Sequence, residues 1–132
     1  MRLLSIPSVR AVETATAIAN QLNCKIEVDD GFSELDFGDW SGIPVAQLEE
    51  DSRYQRWKED PWLNAPPRGE SLTAMRLRLF QSVSKLTTSM AAAGQPLILV
   101  IHFFPLLVLF SILAVGKEVR CDNASISRLL NR

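Results

Sequence analysis

The pattern of apolar and polar residues predicts that helices and strands alternate along this chain. Apolar side chains recur at helical spacing over Val9–Leu22, and Ser8 precedes them where an N-cap residue is preferred. After this helix, Cys24, Ile26 and Val28 alternate with charged residues, which is typical of a strand with one buried face. The stripe that we expect to face inward on the helix is Ala11, Ala15, Ile18 and Leu22.

The middle of the chain predicts loops and one long amphipathic helix. Asp30-Gly31 is a turn sequence, and no single period holds over residues 32–42, so we expect a structured loop there. Short amphipathic segments follow at 45–50 and 54–59, and three prolines predict another loop at 60–69. Ser71 then caps a long helix that stops at Gly94. Its expected inward stripe is Leu72, Met75, Leu79, Val83, Leu86 and Met90.

An uncharged apolar segment at residues 96–116 permits two interpretations. It is long enough to cross a bilayer. The alternative is a buried strand at 97–101 and a helix that starts near Pro105 and ends at Gly116. A histidine inside a membrane is costly, and leucine with β-branched residues suits a parallel strand covered on both faces. We therefore expect a strand and a helix, with no membrane partner.

Alternating strands and helices predict an α/β fold, a layered α/β/α arrangement with a mostly parallel sheet. Residues 118–121 and 125–130 are weaker strand candidates. The only histidine of the chain, His102, directly follows the predicted strand at 97–101. Ligands bind at the carboxyl ends of strands in such sheets, so His102 marks a candidate functional site.

Composition narrows the classes of protein and partner. The 132 residues fit one domain, and the net charge of −1 is spread along the chain, so no nucleic-acid partner is expected. Cys24 and Cys121 lack metal-site spacing and are interpreted as reduced thiols of a cytoplasmic protein, with a structural disulfide as the alternative. The apolar start is too short for a signal peptide. The oligomeric state is left open.

Arg10 stands in the first turn of its predicted helix, where the helix dipole disfavours a cation. A guanidinium beside the free N–H groups of a helix start makes a bidentate phosphate clamp. The alternative is an ordinary solvated arginine. Arg10 is therefore a candidate phosphate-binding residue.

Glu34 lies among aromatic and apolar residues in the 32–42 loop. Such neighbours raise the pKa of a carboxyl group and keep a proton available near neutral pH. The alternative is an exposed loop acid, and Asp36 is a weaker candidate for the same role. Glu34 is the preferred candidate for a proton donor.

Four segments, in this order, resemble the histidine phosphatase superfamily, whose fold is phosphoglycerate-mutase-like. They are Ser5–Ala15 with its Ser5-x-Pro7-x-x-Arg10 pattern, Phe32–Gly42, Pro66–Ser71, and His102 after its apolar strand. Within the superfamily, Pro66–Ser71 looks most like the corresponding loop of the α-ribazole-5′-phosphate phosphatases of cobalamin synthesis. The resemblance implies a phosphomonoester hydrolase with a small-molecule substrate.

The resemblance also implies roles for individual residues. Arg10 and His102 would bind the transferred phosphate, and Glu34 and His102 would be the catalytic pair. Glu70 and Ser71 would contact the substrate, although capping of the long helix explains them equally well. The family needs no metal and no cofactor, because positive side chains supply the electrostatic stabilisation.

The chain also departs from the family pattern. It has no Arg-His-Gly, the motif that carries the nucleophilic histidine, and nothing in it resembles the family's first strand and helix. We interpret residues 1–132 as a single incomplete histidine phosphatase domain with impaired catalysis and exposed apolar residues beside the lost strand. The alternative is a non-catalytic remnant, or a module that binds phosphate or a partner.

Smaller departures lie beside the candidate site. Phe103 and Phe104 stand where the family has small residues, and we expect them to crowd the approach to His102. Arg68 replaces a glycine, and residues 122–126 resemble the family's last strand.

Overall fold

The computed structural model describes residues 1–91 and 94–113 of the chain. Its elements, in chain order, are β1 (Arg2–Ser5), α1 (Val9–Leu22), β2 (Ile26–Val28), α2 (Val45–Leu48), α3 (Ser52–Glu59), α4 (Leu72–Ala91), β3 (Leu97–Val100) and α5 (Phe103–Leu113). Single 3-10 turns at Asp30–Phe32 and Gly38–Trp40 lie between β2 and α2. The predictions for Gly116, Cys121 and residues 118–130 fall outside the described residues.

The strands form a parallel sheet in the order β2-β1-β3, which confirms the predicted α/β class. The central strand β1 was not predicted, because four residues are too short to show a period. Its two leucines point to opposite faces, and both are buried. Leu3 packs with Ala15 and Ala19 of α1, whereas Leu4 belongs to the larger core formed with α4 and α5. Helices therefore cover both faces of the sheet.

Helical periodicity predicted the two long helices well. Leu72, Met75 and Leu79 of α4 are buried as expected, and Ser71 caps the helix through a 3.1 Å bond from the Ala74 N–H to its Oγ. Gly94 has the left-handed φ of +59° that suits the end of a helix, and its N–H donates to the carbonyl of Met90.

Two expected core positions near the edge of the molecule are wrong. Leu22 is 46% exposed, and Ala19 is buried in its place, because small side chains let α1 lie close to β1. Val28 is 57% exposed, since β2 is a three-residue strand at the edge of the described sheet. Periodicity identifies the inward face of a helix or strand, but it does not show how far along that face other elements cover it.

The apolar segment at 96–116 folds as a strand and a helix over its described part. The helix begins at Phe103, two residues before the start expected at Pro105. This proline lies in the first turn, where backbone N–H groups have no helical partner, so the ring costs no hydrogen bond. Among the described helices, none combines the length and the apolar character needed to cross a membrane.

The strand β3 forms the other edge of the described sheet. All four of its apolar residues, Leu97–Val100, are only partly buried. A sequence of this kind suits a strand covered on both faces, so β3 is less covered than its residues predict.

Candidate active site

The candidate site begins where β1 and β3 end side by side. Ser5 and Val100 are paired in register, so the segments that follow them, with Ser8 and His102, leave the same edge of the sheet. His102 Nε2 lies 2.9 Å from the Ser8 hydroxyl oxygen, and both residues are half-buried. Ser8 does occupy the N-cap position of α1, but its side chain makes no capping bond. The hydroxyl is used to hold the imidazole instead.

Arg10 lies two residues further on, exposed in the first turn of α1. The first helical bond of α1 runs from the Val12 N–H to the carbonyl of Ser8. The N–H groups that precede it have no partner of this kind within the helix. The structure therefore brings the predicted phosphate-binding arginine to the same sheet edge as His102.

The loop that carries Glu34 is fixed at its start by a tight turn. The carboxylate of Asp29 accepts a 2.8 Å bond from the Gly31 N–H, which closes the 3-10 turn. Phe32 follows with no exposed surface and anchors the loop in the main core. Glu34, two residues later, is half-buried.

Burial raises the pKa of Glu34, as its apolar neighbours in the sequence predicted. Several groups oppose this shift without cancelling it: the N–H groups of Leu35 and Phe104, and the positive charges of His102 and Arg78. The Leu35 N–H donates to Glu34 Oε1 at 2.7 Å. The acid thus lies near His102 and keeps its proton to a higher pH than an exposed glutamate.

This raised pKa gives a testable pH dependence of stability. A carboxyl group with a raised folded-state pKa favours folding in its protonated form, so stability is lost as the pH rises through that pKa. We expect Glu34→Gln to increase the free energy of unfolding at pH 7, with the gain disappearing below the ordinary glutamate pKa. Urea denaturation of both proteins at several pH values measures this. A variant that is less stable than wild type at pH 7 would contradict it.

Two backbone bonds join the Glu34 loop to the proline-containing loop before α4. The Asp39 N–H donates to the carbonyl of Pro67, and the Glu70 N–H donates to the carbonyl of Asp36, each at 2.9 Å. Gly38, at a φ of +51°, makes this approach possible, because a Cβ there would lie 2.2 Å from the Pro67 oxygen. The two loops are therefore joined by backbone hydrogen bonds and by this close approach.

Glu70 and Ser71 already have structural partners. Ser71 caps α4, and the carboxylate of Glu70 accepts a 3.1 Å bond from the Asp36 N–H and pairs with Arg78. Their predicted contact with substrate stays a prediction. Arg68 takes the left-handed φ of +58° at the position where the family has glycine.

Aromatic side chains pack beside the site. The ring of Phe104 lies 5.8 Å from that of Phe37 and 6.3 Å from that of Trp57, centroid to centroid. Phe103 is 47% exposed and makes an edge contact with Phe104. The ring of Phe104 is thus held in this cluster, and the crowding expected at His102 stays a prediction.

Two contributors to the site, the hydroxyl of Ser8 and the guanidinium of Arg78, were not predicted from the sequence. Arg78 is half-buried on α4 directly beside the buried Leu79. A charged residue at the border of a buried stripe is unusual unless it is paired, and this was the available signal.

Comparison with known proteins agrees with the fold. The sequence profile of the histidine phosphatase superfamily (branch 1) matches residues 2–131. The chain belongs to this superfamily.

Similar proteins include several phosphatases, all longer than this chain. A bifunctional protein of Mycobacterium tuberculosis is 30% identical over an alignment of 132 positions, which covers 95% of this chain and 35% of that protein. The mycobacterial glucosyl-3-phosphoglycerate phosphatase with inorganic phosphate superimposes with a TM-score of 0.77 at 28% identity, over 89% of this chain and 60% of that one. The α-ribazole phosphatase from Shigella flexneri has a TM-score of 0.71 at 20% identity, over 86% and 56%, and this likeness concerns the fold alone.

Proposed function

We propose that this chain carries the phosphate-binding and proton-donating part of a histidine phosphatase that acts on small phosphomonoesters. The observation that carries the proposal is the half-buried Glu34, whose pKa is raised by burial and which lies near enough to His102 for the imidazole to influence that pKa. A protonated carboxyl beside a phosphate-binding imidazole is suited to protonate the leaving oxygen of a phosphoester.

The phosphate would lie at the carboxyl edge of the sheet. Arg10 offers two parallel N–H donors on a planar guanidinium, and the free N–H groups of the first turn of α1 add to them. His102, held by Ser8 at 2.9 Å, would donate to a third phosphoryl oxygen. These fixed donors stabilise the charge that develops during transfer, and the proposed mechanism therefore uses no metal and no cofactor.

The proposed chemistry needs a nucleophile that these 132 residues do not contain. The only histidine is His102, which is placed here in the phosphate-holding role, and the chain has no Arg-His-Gly. We therefore propose impaired catalysis for the chain by itself. The second candidate function, a phosphate-binding module without turnover, is favoured by this same observation.

The proposed substrate is α-ribazole 5′-phosphate, which would place the protein in the cobalamin pathway. The support is the Pro66–Ser71 loop, which is joined to the Glu34 loop and so lies beside the site. The relatives include a phosphatase named for glucosyl-3-phosphoglycerate. Binding of both phosphoesters, measured side by side with inorganic phosphate, tests the assignment. Preference for the glucosyl compound would replace it.

We expect phosphate affinity to depend on Arg10 more than on any other single residue. A charge-assisted bidentate contact contributes about 1.5–3 kcal/mol, so Arg10→Ala should weaken phosphate or vanadate binding about 10- to 100-fold. Arg10→Lys should recover only part of this, because an ammonium group cannot reproduce the planar fork. Isothermal titration calorimetry measures the affinities.

Arg76→Ala is the matched control, because Arg76 is an exposed arginine on α4 and the variant loses the same charge. It should bind phosphate as wild type does. Equal affinities for wild type and Arg10→Ala would show that Arg10 is an ordinary surface residue.

A further inference from the structure

We propose that Arg78 is a positioning residue, which holds the loop that carries Glu34 against the His102 end of the sheet. This role of Arg78 rests on the proposed function of Glu34 as an acid. The hydrogen bonds between Arg78 and the loop do not depend on that function.

The guanidinium of Arg78 binds the loop backbone on the N-terminal side of Glu34. Its Nη1 donates to the carbonyl of Gly31 at 3.0 Å and to that of Ser33 at 3.1 Å. Its Nη2 also donates to Ser33 at 3.1 Å, and it lies 3.4 Å from the carbonyl of Glu34 itself. One side chain thus donates hydrogen bonds to loop carbonyl groups that have no partner in a strand or helix.

The same guanidinium also holds the loop on the C-terminal side of Glu34, through an ion pair with Glu70. Arg78 Nη2 lies 2.6 Å from Glu70 Oε1, and its Nε lies 3.3 Å from Oε2. That Oε1 also accepts the N–H of Asp36 at 3.1 Å. The two side chains are only 28% and 18% exposed, so the pair is partly shielded from water. The loop is therefore gripped both before and after Glu34.

The helix that carries Arg78 is a firm support. Met75 and Leu79 on α4 are completely buried, and their packing fixes the position and the rotation of the helix relative to the core. The loop also rests directly on α4, since a Cβ on Gly31 would lie 2.1 Å from the hydroxyl of Ser82. Arginine suits this place because its five N–H donors have a fixed planar arrangement, whereas lysine offers one mobile ammonium group.

Arg78 acts on Glu34 in two opposite ways, and this makes the proposal testable. Its positive charge lowers the pKa of Glu34, whereas the burial that its bonds maintain raises that pKa, and burial is the larger cause. If Arg78 were only a nearby charge, its removal would raise the pKa of Glu34 further. If it positions the loop, its removal frees the carboxyl group to reach water, and the pKa falls.

The experiment is a carbon-13 NMR titration of Glu34 in the full chain, with Glu34→Gln used to assign the resonance. We expect the pKa of Glu34 to fall towards the ordinary glutamate value in Arg78→Met. We also expect it to fall in Arg78→Lys, although that variant keeps the charge. Glu70→Gln should cause a smaller fall in the pKa of Glu34, because the side-chain amide oxygen can still accept the hydrogen bond from the Asp36 N–H. Amide exchange at Leu35 and Asp36 should become about tenfold faster or more in the Arg78 variants.

Arg76→Met is the matched control, since it removes one positive charge from the exposed face of the same helix. It should leave the Glu34 titration unchanged. The groups that face Glu34 from other elements, His102 and the Phe104 N–H, are present in every variant. Far-UV circular dichroism verifies folding, and if Arg78→Met does not fold, Arg78→Lys and Glu70→Gln decide the outcome.

A higher pKa in Arg78→Met together with a wild-type pKa in Arg78→Lys would overturn the proposal, because that is the result of charge alone. The titration of Glu34 measures the environment of the loop and does not require the protein to be catalytically active. Failure of the proposed phosphatase function therefore leaves this result standing, and failure here leaves the Arg10 binding test unaffected.

Discussion

The 132-residue chain is expected to hydrolyse p-nitrophenyl phosphate at a rate about 10⁴-fold or more below that of the same chain fused to a segment with Arg-His-Gly. Nucleophilic catalysis needs an attacking group and oxyanion support in one geometry, and in the proposed mechanism this chain supplies only the support. A segment taken from a relative in the superfamily would provide the missing imidazole. Steady-state kinetics of the two proteins measures the difference.

The leaving group provides the control for this fusion. In the fused protein, Glu34→Gln should lower turnover of a phosphoester with a poor leaving group more than it lowers turnover of p-nitrophenyl phosphate, because p-nitrophenolate needs less protonation. Rapid hydrolysis by the unmodified chain, lost in His102→Ala, would show instead that His102 is the nucleophile.

The second large effect concerns stability. Phe32 has no exposed surface and lies in the main core with Leu4 of β1 and with Met75 and Leu79 of α4. We expect Phe32→Ala to lower the free energy of unfolding by about 3–5 kcal/mol, because a cavity replaces the ring. In a domain of this size, such a loss lowers Tm by about 10–20 °C. Thermal and urea denaturation followed by circular dichroism measure both quantities.

Leu63→Ala serves as the comparison, since Leu63 is 81% exposed in the loop before α4. It should change stability by no more than about 0.5 kcal/mol. Similar losses in the two variants would mean that the core around Phe32 is not packed as described.

Periodicity and local chemistry were enough to predict much of the fold. The bounds of α1, the buried stripe of α4 and the division of the apolar segment into β3 and α5 follow from spacing, caps and composition. These are local properties, since each depends on residues within one or two turns of each other. The positions of Arg10, Glu34 and His102 within their elements were predictable for the same reason.

Strand β1 shows where local prediction stops. Its four residues have no visible period, and they form the centre of the sheet because β2 and β3 pair on both sides and helices cover both faces. Leu22 shows the same limit in the other direction, because it has the spacing of a core residue but is 46% exposed in the folded chain.

The sequence by itself determined the superfamily motifs, their order and the helices and strands that present them. Only the tertiary structure decided which side chains meet. Ser8 and His102 are 94 positions apart, and Arg78 is 47 positions from the Gly31 carbonyl that it binds. Such contacts depend on how the sheet and α4 place distant segments, and a hydroxyl or a guanidinium takes whichever partner the packing brings within reach. For this reason Ser8 holds His102 instead of capping its helix, and Glu70 binds Arg78.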